Sequence, residues 1–399
     1  MTVFLTNAEY KNSLAALRAL VSNNVEVNMG GQSRYSLGFF SKLPNARIQY
    51  PPPRRAPDKF RKFLLTYLRK NTIDVLMPVG TDTFTLVSKF KEEFEKFTTV
   101  PVVNYDKYVQ AHDKHSALET ATKLNIPTPQ TFIVTSLKEA LSYSKVLKFP
   151  LVVKARKGSG TVQVKYAHSK TDLERILKSF SHLSREKYSS SEDIIDYSKP
   201  ILQEFLPGEI YDVLVLFAKG RMRAVTVQKR VLCYPVNGGS GALNVTVNFP
   251  ELVQYTKKLM SHFKWHGVAM VEFKLNKDGK PHLLEVNPKF WGTLGLSISA
   301  GQNFPYLLYR IALEEDIPSQ FSYQQGKLHG WPFPMGINHV LDSPFKIKSF
   351  GAYLQLLAQK DSTDIRKGDL TPLSWQLLLS ARAIFKKAFS KAQKEIEGN

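Results

Sequence analysis

A single cysteine, Cys233, stands in a chain of 399 residues. A lone thiol excludes an internal disulfide framework and a cysteine-based metal cluster, and it fits a reducing cytoplasm. Long apolar runs are missing too. No stretch approaches the roughly 18 uncharged apolar residues that a membrane-spanning helix needs, and the start Met1-Thr2-Val3-Phe4-Leu5 lacks the basic and apolar regions of a secretory signal. Acidic residues are scarce, 34 against 55 Lys and Arg. The resulting net charge of +21 implies an acidic partner: a polyanionic substrate, nucleic acid or an anionic membrane surface. The shortage is local. Between Lys42 and Lys70 the only acid is Asp58, and Ser374 to Lys394 has none beside Arg382, Lys386, Lys387, Lys391 and Lys394. Neither a G-x-G-x-x-G fingerprint nor a Walker loop occurs, which excludes the nucleotide sites built on them, and there is no internal repeat.

What is present alternates in the α/β manner over the first hundred residues. Val3 to Thr6, Val25 to Val27, Asp74 to Val79 and Val100 to Val103 read as strands. Ala8 to Val21, Phe60 to Leu68 and residues 82–97 read as helices, giving a small doubly wound unit. From Asp113 the pattern changes. A helix to Leu124, a strand at Thr131 to Val134, a helix at Ser136 to Ser144, a strand at Leu151 to Ala155 and a helix at Lys170 to Phe180 precede a Ser-rich insertion, Ser181 to Ser198. Strands dominate from Ile201 to Val247, helices follow at Pro250 to Phe263 and Phe304 to Leu313, and the tail from Asp342 is mostly helical.

The chemistry concentrates in one hairpin. Val268 to Leu275 and Pro281 to Pro288 are apolar runs joined through Asp278-Gly279, a strong hairpin pair. With a two-residue turn there, Glu272 lies opposite Glu285. Glu272, Glu285 and Asn287 then share one face, while Val271, Phe273, Leu275, Leu284 and Val286 share the other. Carboxylates opposed at roughly 5 Å repel unless positive charge lies between them, and converging hard oxygens select Mg²⁺ or Mn²⁺. An odd-length loop would break that register, and a solvated polar face with Lys274 as counter-ion is the alternative.

Three other segments carry charge or glycine in suggestive places. Leu151 to Gly160 is a strand ending in Lys154, Lys157, Gly158, Ser159 and Gly160, where glycine lets backbone N–H groups approach phosphate, though ordinary turns use the same residues. Gln203-Glu204-Phe205-Leu206 joins two apolar strands and offers backbone groups and an apolar face to a flat base, or serves as a plain connector. Gln228-Lys229-Arg230 precedes the glycine-rich 238–241 stretch, so Arg230 can clamp a carboxylate or phosphate or remain a surface charge.

Taken in order, Lys114, the strand-lysine-glycine loop, Gln203 to Leu206 and Glu272…Glu285-x-Asn287-Pro288-x-Phe290-Trp291-Gly292 resemble the ATP-grasp superfamily, nearest its carbamoyl-phosphate-synthetase-like branch of carboxylate–amine ligases. The resemblance covers roughly residues 1 to 315. It implies an α/β and α+β architecture: a pre-ATP-grasp α/β domain (1–112), a small lobe with the glycine loop (113–200), a large lobe with the metal site (201–340) and a mostly helical C-terminal extension (341–399). It further implies that Lys114, Lys154 and residues 157 to 160 contact ATP, and that Gln203, Glu204, Phe205 and Leu206 receive adenine. Glu272, Glu285 and Asn287 would hold two Mg²⁺ ions. The chain departs from the family pattern twice. Lys289 stands where an arginine is common, and Ile210 where a ribose-binding Glu is common, leaving Glu209 or Asp212 for that role.

The implied reaction forms an acyl phosphate from a carboxylate and ATP, then joins it to an amine, with Lys289 and Arg230 stabilising the charge that develops. A kinase-like outcome and a basic binding protein are the rivals. Too few aromatics interleave with the basic stripe for nucleic acid. An anionic membrane surface suits Trp375, Leu378, Phe385 and Phe389 between cations, although a docked helix has the same spacing and is the preferred expectation. Cytoplasmic location and a homodimer are expectations of the same kind. Cys233 reads as structural, His262, His266 and His282 lack zinc spacing, and Asp82 reads as a helix cap.

Overall fold

A computed structural model describes residues 1–158, 164–186, 196–236, 239–359 and 362–382. The first sheet is parallel, with order β3-β2-β1-β4, and comprises β1 (Thr2–Leu5), β2 (Glu26–Gly31), β3 (Ala46–Gln49) and β4 (Val75–Met77). Helices cover both its faces, so Val3, Phe4 and Leu5 are all fully buried rather than alternating. The helix expected from Ala8 begins instead at Lys11. Asn7 adopts φ 59° and turns the chain, leaving Ala8, Glu9 and Tyr10 in a loop at the carboxyl edge of the sheet. Residues 82–97 form two helices, Thr81–Lys89 and Lys91–Phe94, broken at Phe90. Val100 to Val103 is not a strand: Pro101 has no N–H to donate, and Val75 makes only an isolated bridge to Thr99.

The second sheet has order β5-β8-β6-β7, from β5 (Thr131–Ile133), β6 (Leu151–Lys154), β7 (Val164–Ala167) and β8 (Ile201–Glu204). Because β8 pairs with both β5 and β6, the change of sheet falls at Phe205 to Gly208 and not at residue 200. The third sheet is antiparallel with order β13-β12-β9-β10-β11-β14. It comprises β9 (Glu209–Ala218), β10 (Arg221–Tyr234), β11 (Ser240–Thr246), β12 (Gly267–Leu275), β13 (Pro281–Asn287) and β14 (Leu328–Gly330). The first and third sheets share continuous cores, in which Phe4 and Leu76 join Val213 and Phe273, and Val3 and Leu5 join Leu214 and Trp291. The second sheet packs on its own core of Val153, Leu173, Phe180 and Leu202. It is therefore a separate lobe, linked through the short crossing at Phe205 to Gly208.

Gly208 makes that crossing with φ +147°, and a Cβ there would lie 1.6 Å from the Leu275 carbonyl oxygen. Gly208→Ala is expected to cost more than about 1 kcal/mol in denaturant unfolding, since neither the backbone nor the neighbouring strand can yield cheaply. A second expectation concerns acid. Burial, then Lys91 and Lys219, hold the His266 pKa down to about 4, and its Nδ1 accepts the Lys219 N–H at 3.3 Å. The unfolded chain then binds a proton that the folded one refuses. Stability is complete above the ordinary value of 6.5 and falls as pH drops towards 4. Near pH 5 the loss is about 1–2 kcal/mol, and His266→Gln is expected to remove it when unfolding at pH 7 and pH 5 is compared.

The tail is helical at Ile337–Asp342, Lys346–Ala358 and 371–382. It docks on the first unit: Trp375 stacks on Phe40 with centroids 4.5 Å apart, and Arg18 pairs with Asp369 at 2.9 Å. Over its described residues the last helix is docked at Trp375, while Leu378 stays exposed. Phe385, Phe389 and the cations from Lys386 onward lie outside the described residues, as do Ser159, Gly160 and residues 187–195 of the Ser-rich insertion.

Candidate active site

The hairpin brings Glu272 opposite Glu285 by a different route from the expected one. Leu275 pairs with Pro281, Lys274 with His282 and Phe273 with Leu283, so the loop is odd in length and centred on Asp278. A bulge at Leu284 restores the register before Glu272 meets Glu285. The bulge also corrects one assignment. Leu283 enters the core, and Leu284 lies with Glu285 along the cavity instead of on the apolar face.

Alternation along neighbouring strands extends the row. Glu285 faces Glu272, Glu272 faces Asp212 across β9, and Asp212 faces Gln228 on β10. Adjacent carboxylates about 5 Å apart repel by about 3 kcal/mol at an effective dielectric near 20, so the row requires cations. Arg230 supplies the first: Nε donates to Asp212 Oδ2 at 3.0 Å, Nη2 donates to Asp212 Oδ1 at 2.7 Å, and Nη2 also donates to Glu272 Oε2. The guanidinium fork of Arg230 thus grips the protein's own carboxylates in this structure. Gln228 Nε2 adds a bond to Asp212 at 2.8 Å and is itself held by Thr293. Lys114 lies 3.5 Å from Glu285, and its Nζ donates to the Gly158 carbonyl at 2.7 Å, tying the start of the glycine loop to the row. Burial, together with Glu285 and Asp212, pushes the Glu272 pKa up to about 6 despite Arg230. Burial acts the same way on Glu285, but Lys114, Lys154 and an Asn287 bond outweigh it and hold that carboxyl well below its ordinary value.

These groups line one cavity of about 530 Å³ between the second and third sheets. Lys154, 8% exposed, enters it from β6, and burial lowers its pKa against the pull of Glu285 and Glu272. Gln203, Glu204, Phe205, Leu206 and Ile210 form the wall at the lobe crossing. The Gln203 amide is fixed by Nε2 donating to Thr131 Oγ1 at 2.9 Å. Lys289 lines the cavity, with one weak bond to the Phe290 carbonyl at 3.5 Å. Lys157 and Gly158 are not part of the lining, and the Lys157 backbone makes an isolated β-bridge to Asp196. Glu209 is also outside it, paired with Lys229 at 2.6 Å, because Glu209 and Asp212 lie on opposite faces of β9. Asp212 is inside, but its oxygens are committed to Arg230 and Gln228. Neither acid is thus free for a ribose. Burial raises the Cys233 thiol pKa, so its cationic neighbours do not make it a nucleophile.

Among the described residues no three His, Cys, Asp or Glu side chains group as a metal site. The donor set that fits is two carboxylates with an amide. Asn287 Nδ2 donates to Glu285 Oε1 at 2.7 Å, which leaves its carbonyl oxygen without a hydrogen-bond donor among the described residues. Glu272, Glu285 and Asn287 therefore offer hard oxygens beside open cavity, the chemistry Mg²⁺ takes when phosphates complete its shell. Sequence reasoning missed the Asp212–Gln228 half of the row, although strand alternation from Glu272 contains it. It also missed Glu9, Lys11 and Arg54, which reach the cavity only through tertiary packing.

Residues 196–328 match the family model described as "ATP-grasp in the biosynthetic pathway with Ter operon". A carbamoyl-phosphate synthase of Methanobrevibacter smithii is 30% identical over 31% of this chain and 34% of its own length. A D-aspartate ligase of Enterococcus faecium is 24% identical over 58% of this chain and 54% of its own. The chain thus spans about a third to a half of the length of these curated relatives. Among solved structures, N5-carboxyaminoimidazole synthetase from Staphylococcus aureus, complexed with ADP, superposes with TM-score 0.66 at 13% identity, over 88% of this chain and 86% of that one. The chain thus shares the fold of that synthetase, and residues 196–328 are similar in sequence to an ATP-grasp family.

Proposed function

We propose that the protein is an ATP-dependent, ADP-forming ligase that activates a carboxylate as an acyl phosphate and joins it to an amine. The observation that carries this reading is the carboxylate row, Glu285–Glu272–Asp212, facing Lys154, Lys114 and Lys289 across one cavity. Such a site holds a polyanion only when cations of both kinds, side chain and metal, are at hand. Glu272, Glu285 and Asn287 are the residues that would hold Mg²⁺, and two ions is the family expectation. Bound Mg²⁺ would neutralise phosphate oxygens and polarise the transferring group.

The chain's own residues do the rest by position and charge. Lys154 and Lys114 meet the phosphates from the small lobe, and Gln203 to Leu206 receive the adenine edge and face. Lys289, a point cation, supports the charge as it passes from phosphoryl to carbonyl oxygen. Arg230 holds Asp212 and Glu272 in register and is the second cation available to that charge. Closure of the small lobe over the cavity excludes water, which an acyl phosphate requires. The small carboxylate and amine enter from the side of the first sheet. On this division residues 1–112 serve substrate binding, the two lobes serve ATP, and the described part of the tail, through Asp369 and Trp375, braces the first unit.

The relatives' names, D-aspartate ligase among them, favour ligation over a kinase-like outcome. The test is the fate of phosphate. Stoichiometric free phosphate with ADP, dependent on both substrates, supports the ligase, and phosphate retained on the product would refute it.

A further inference from the structure

The same cavity runs from the carboxylate row to the first sheet, where Glu9, Tyr10, Lys11, Arg54 and Gly80 line it. The strand order β3-β2-β1-β4 reverses between β1 and β4, and a crevice opens at the carboxyl ends of the strands at such a reversal. Glu9 follows β1 and Asp82 follows β4, so two carboxylates flank this crevice. Two amides tie them together. Asn7 Nδ2 donates to Glu9 at 3.3 Å and to Asp82 at 3.0 Å, while Gln32 Nε2 donates to Glu9 at 2.8 Å and to Asp82 at 3.3 Å. Asp82 is 3% exposed and lies behind Glu9. It accepts the Thr83 N–H, but Gly80 is the N-cap, so capping does not account for it.

Among the described residues no Lys or Arg nitrogen comes within 4.0 Å of either carboxylate, in a chain whose net charge is +21. Burial and the neighbouring Asp82 raise the Glu9 pKa, a penalty that a cation from outside would relieve. An independent observation lies on the same wall. The Arg54 Nε is buried without a hydrogen-bond partner, and its guanidinium has no carboxylate within 4.0 Å among the described residues. Glu9 and Arg54 thus line the same end of the cavity without pairing with each other. Lys289, whose ammonium feels both Glu285 and Asp82, links this end of the cavity to the carboxylate row.

We infer that this end is a subsite for a free amino acid or a similar zwitterion. Glu9, with Asp82 behind it, takes the ammonium group, and Arg54 takes the anionic group. The inference rests on the ligase reading, which requires a second substrate beside the nucleotide. It narrows that substrate to one carrying both charges.

The test uses the full chain with Mg²⁺ and a non-hydrolysable ATP analogue. D- and L-amino acids, with their N-acetyl, deamino and carboxamide forms, are titrated by calorimetry. At least one free amino acid is expected to bind, with its N-acetyl and deamino forms about tenfold or more weaker. Glu9→Gln and Asp82→Asn are expected to lose a similar factor for the amino acid while keeping the analogue. Arg54→Met is expected to weaken the amino acid but not its carboxamide. Should Asp82→Asn fail to fold, Glu9→Gln and Arg54→Met, which face the cavity, decide the matter. The inference is overturned if the analogue binds but no panel member does, if N-acetylation is harmless, or if the cavity-facing variants bind as the unaltered protein does. An unaltered protein that fails to bind the analogue itself contradicts the nucleotide reading and this inference with it.

Discussion

Glu285→Gln is expected to lower turnover by about 10²–10³-fold, the range seen when one preorganised charge-stabilising contact is lost, with little change in fold. The side chain is nearly isosteric, and its bond from Asn287 Nδ2 can persist through the amide oxygen. What disappears is the charge. Lys114 and Lys154 then face a neutral group, and the hard-oxygen set retains a single anionic ligand, Glu272. The Mg²⁺ requirement should therefore move to higher concentration along with the fall in rate. Phosphate release measured across a Mg²⁺ titration separates the two effects. Turnover close to that of the unaltered protein at ordinary Mg²⁺ would remove Glu285 from the proposed role.

Arg230→Met is expected to be the most damaging substitution to stability. Arg230 is 10% exposed and holds Asp212, which is 0% exposed, and Glu272 together. Its loss leaves Asp212 with the Gln228 amide alone, next to a second buried carboxylate. Breaking a buried pair from one side costs about 3–5 kcal/mol, and mutual repulsion along the row acts in the same direction. Mg²⁺ should recover part of this, since positive charge beside Glu272 replaces one of the two contacts but leaves Asp212 unserved. Denaturant unfolding with and without Mg²⁺ measures both parts. Arg230→Lys should fall between the two, because an ammonium cannot span both Asp212 oxygens and Glu272. A loss below about 1 kcal/mol, the level of an exposed pair, would mean that the row is balanced by other means.

The hairpin shows how far the sequence is legible. Val268 to Val286 reads correctly as two strands with Glu272 facing Glu285, yet the turn assumed for it is wrong by one residue, and the Leu284 bulge cancels that error. Alternation within a strand shows which face a residue takes, but a compensating bulge depends on what the sheet packs against. Leu283 fills the core here, so Leu284 does not. The same limit appears at Glu209 and Asp212, three residues apart and therefore on opposite faces, where one pairs at the surface and the other is buried. Strand period alone could have separated them once Glu272 was placed. Glu9 was not legible. The apolar spacing of Ala8 to Val21 is helical throughout, and only the left-handed turn at Asn7 delays the helix to Lys11 and leaves Glu9 in the crevice. Asp82 reads as a cap from sequence, because its amide partners Asn7 and Gln32 are distant along the chain. The second lobe's boundary failed for a related reason: Ile201 to Glu204 belong to the sheet they pair with, which hydrophobicity does not reveal.

The most direct test of the central claim is trapping with hydroxylamine. The full chain, Mg²⁺-ATP and a pool of amino acids and small carboxylates are incubated beside the Glu285→Ala variant. The proposed ligase should yield a hydroxamate that requires both ATP and Glu285, which would name the carboxylate and establish its activation as an acyl phosphate. Hydroxamate formed equally well by the variant, or ADP formed from ATP and a pool member with no hydroxamate, would contradict it.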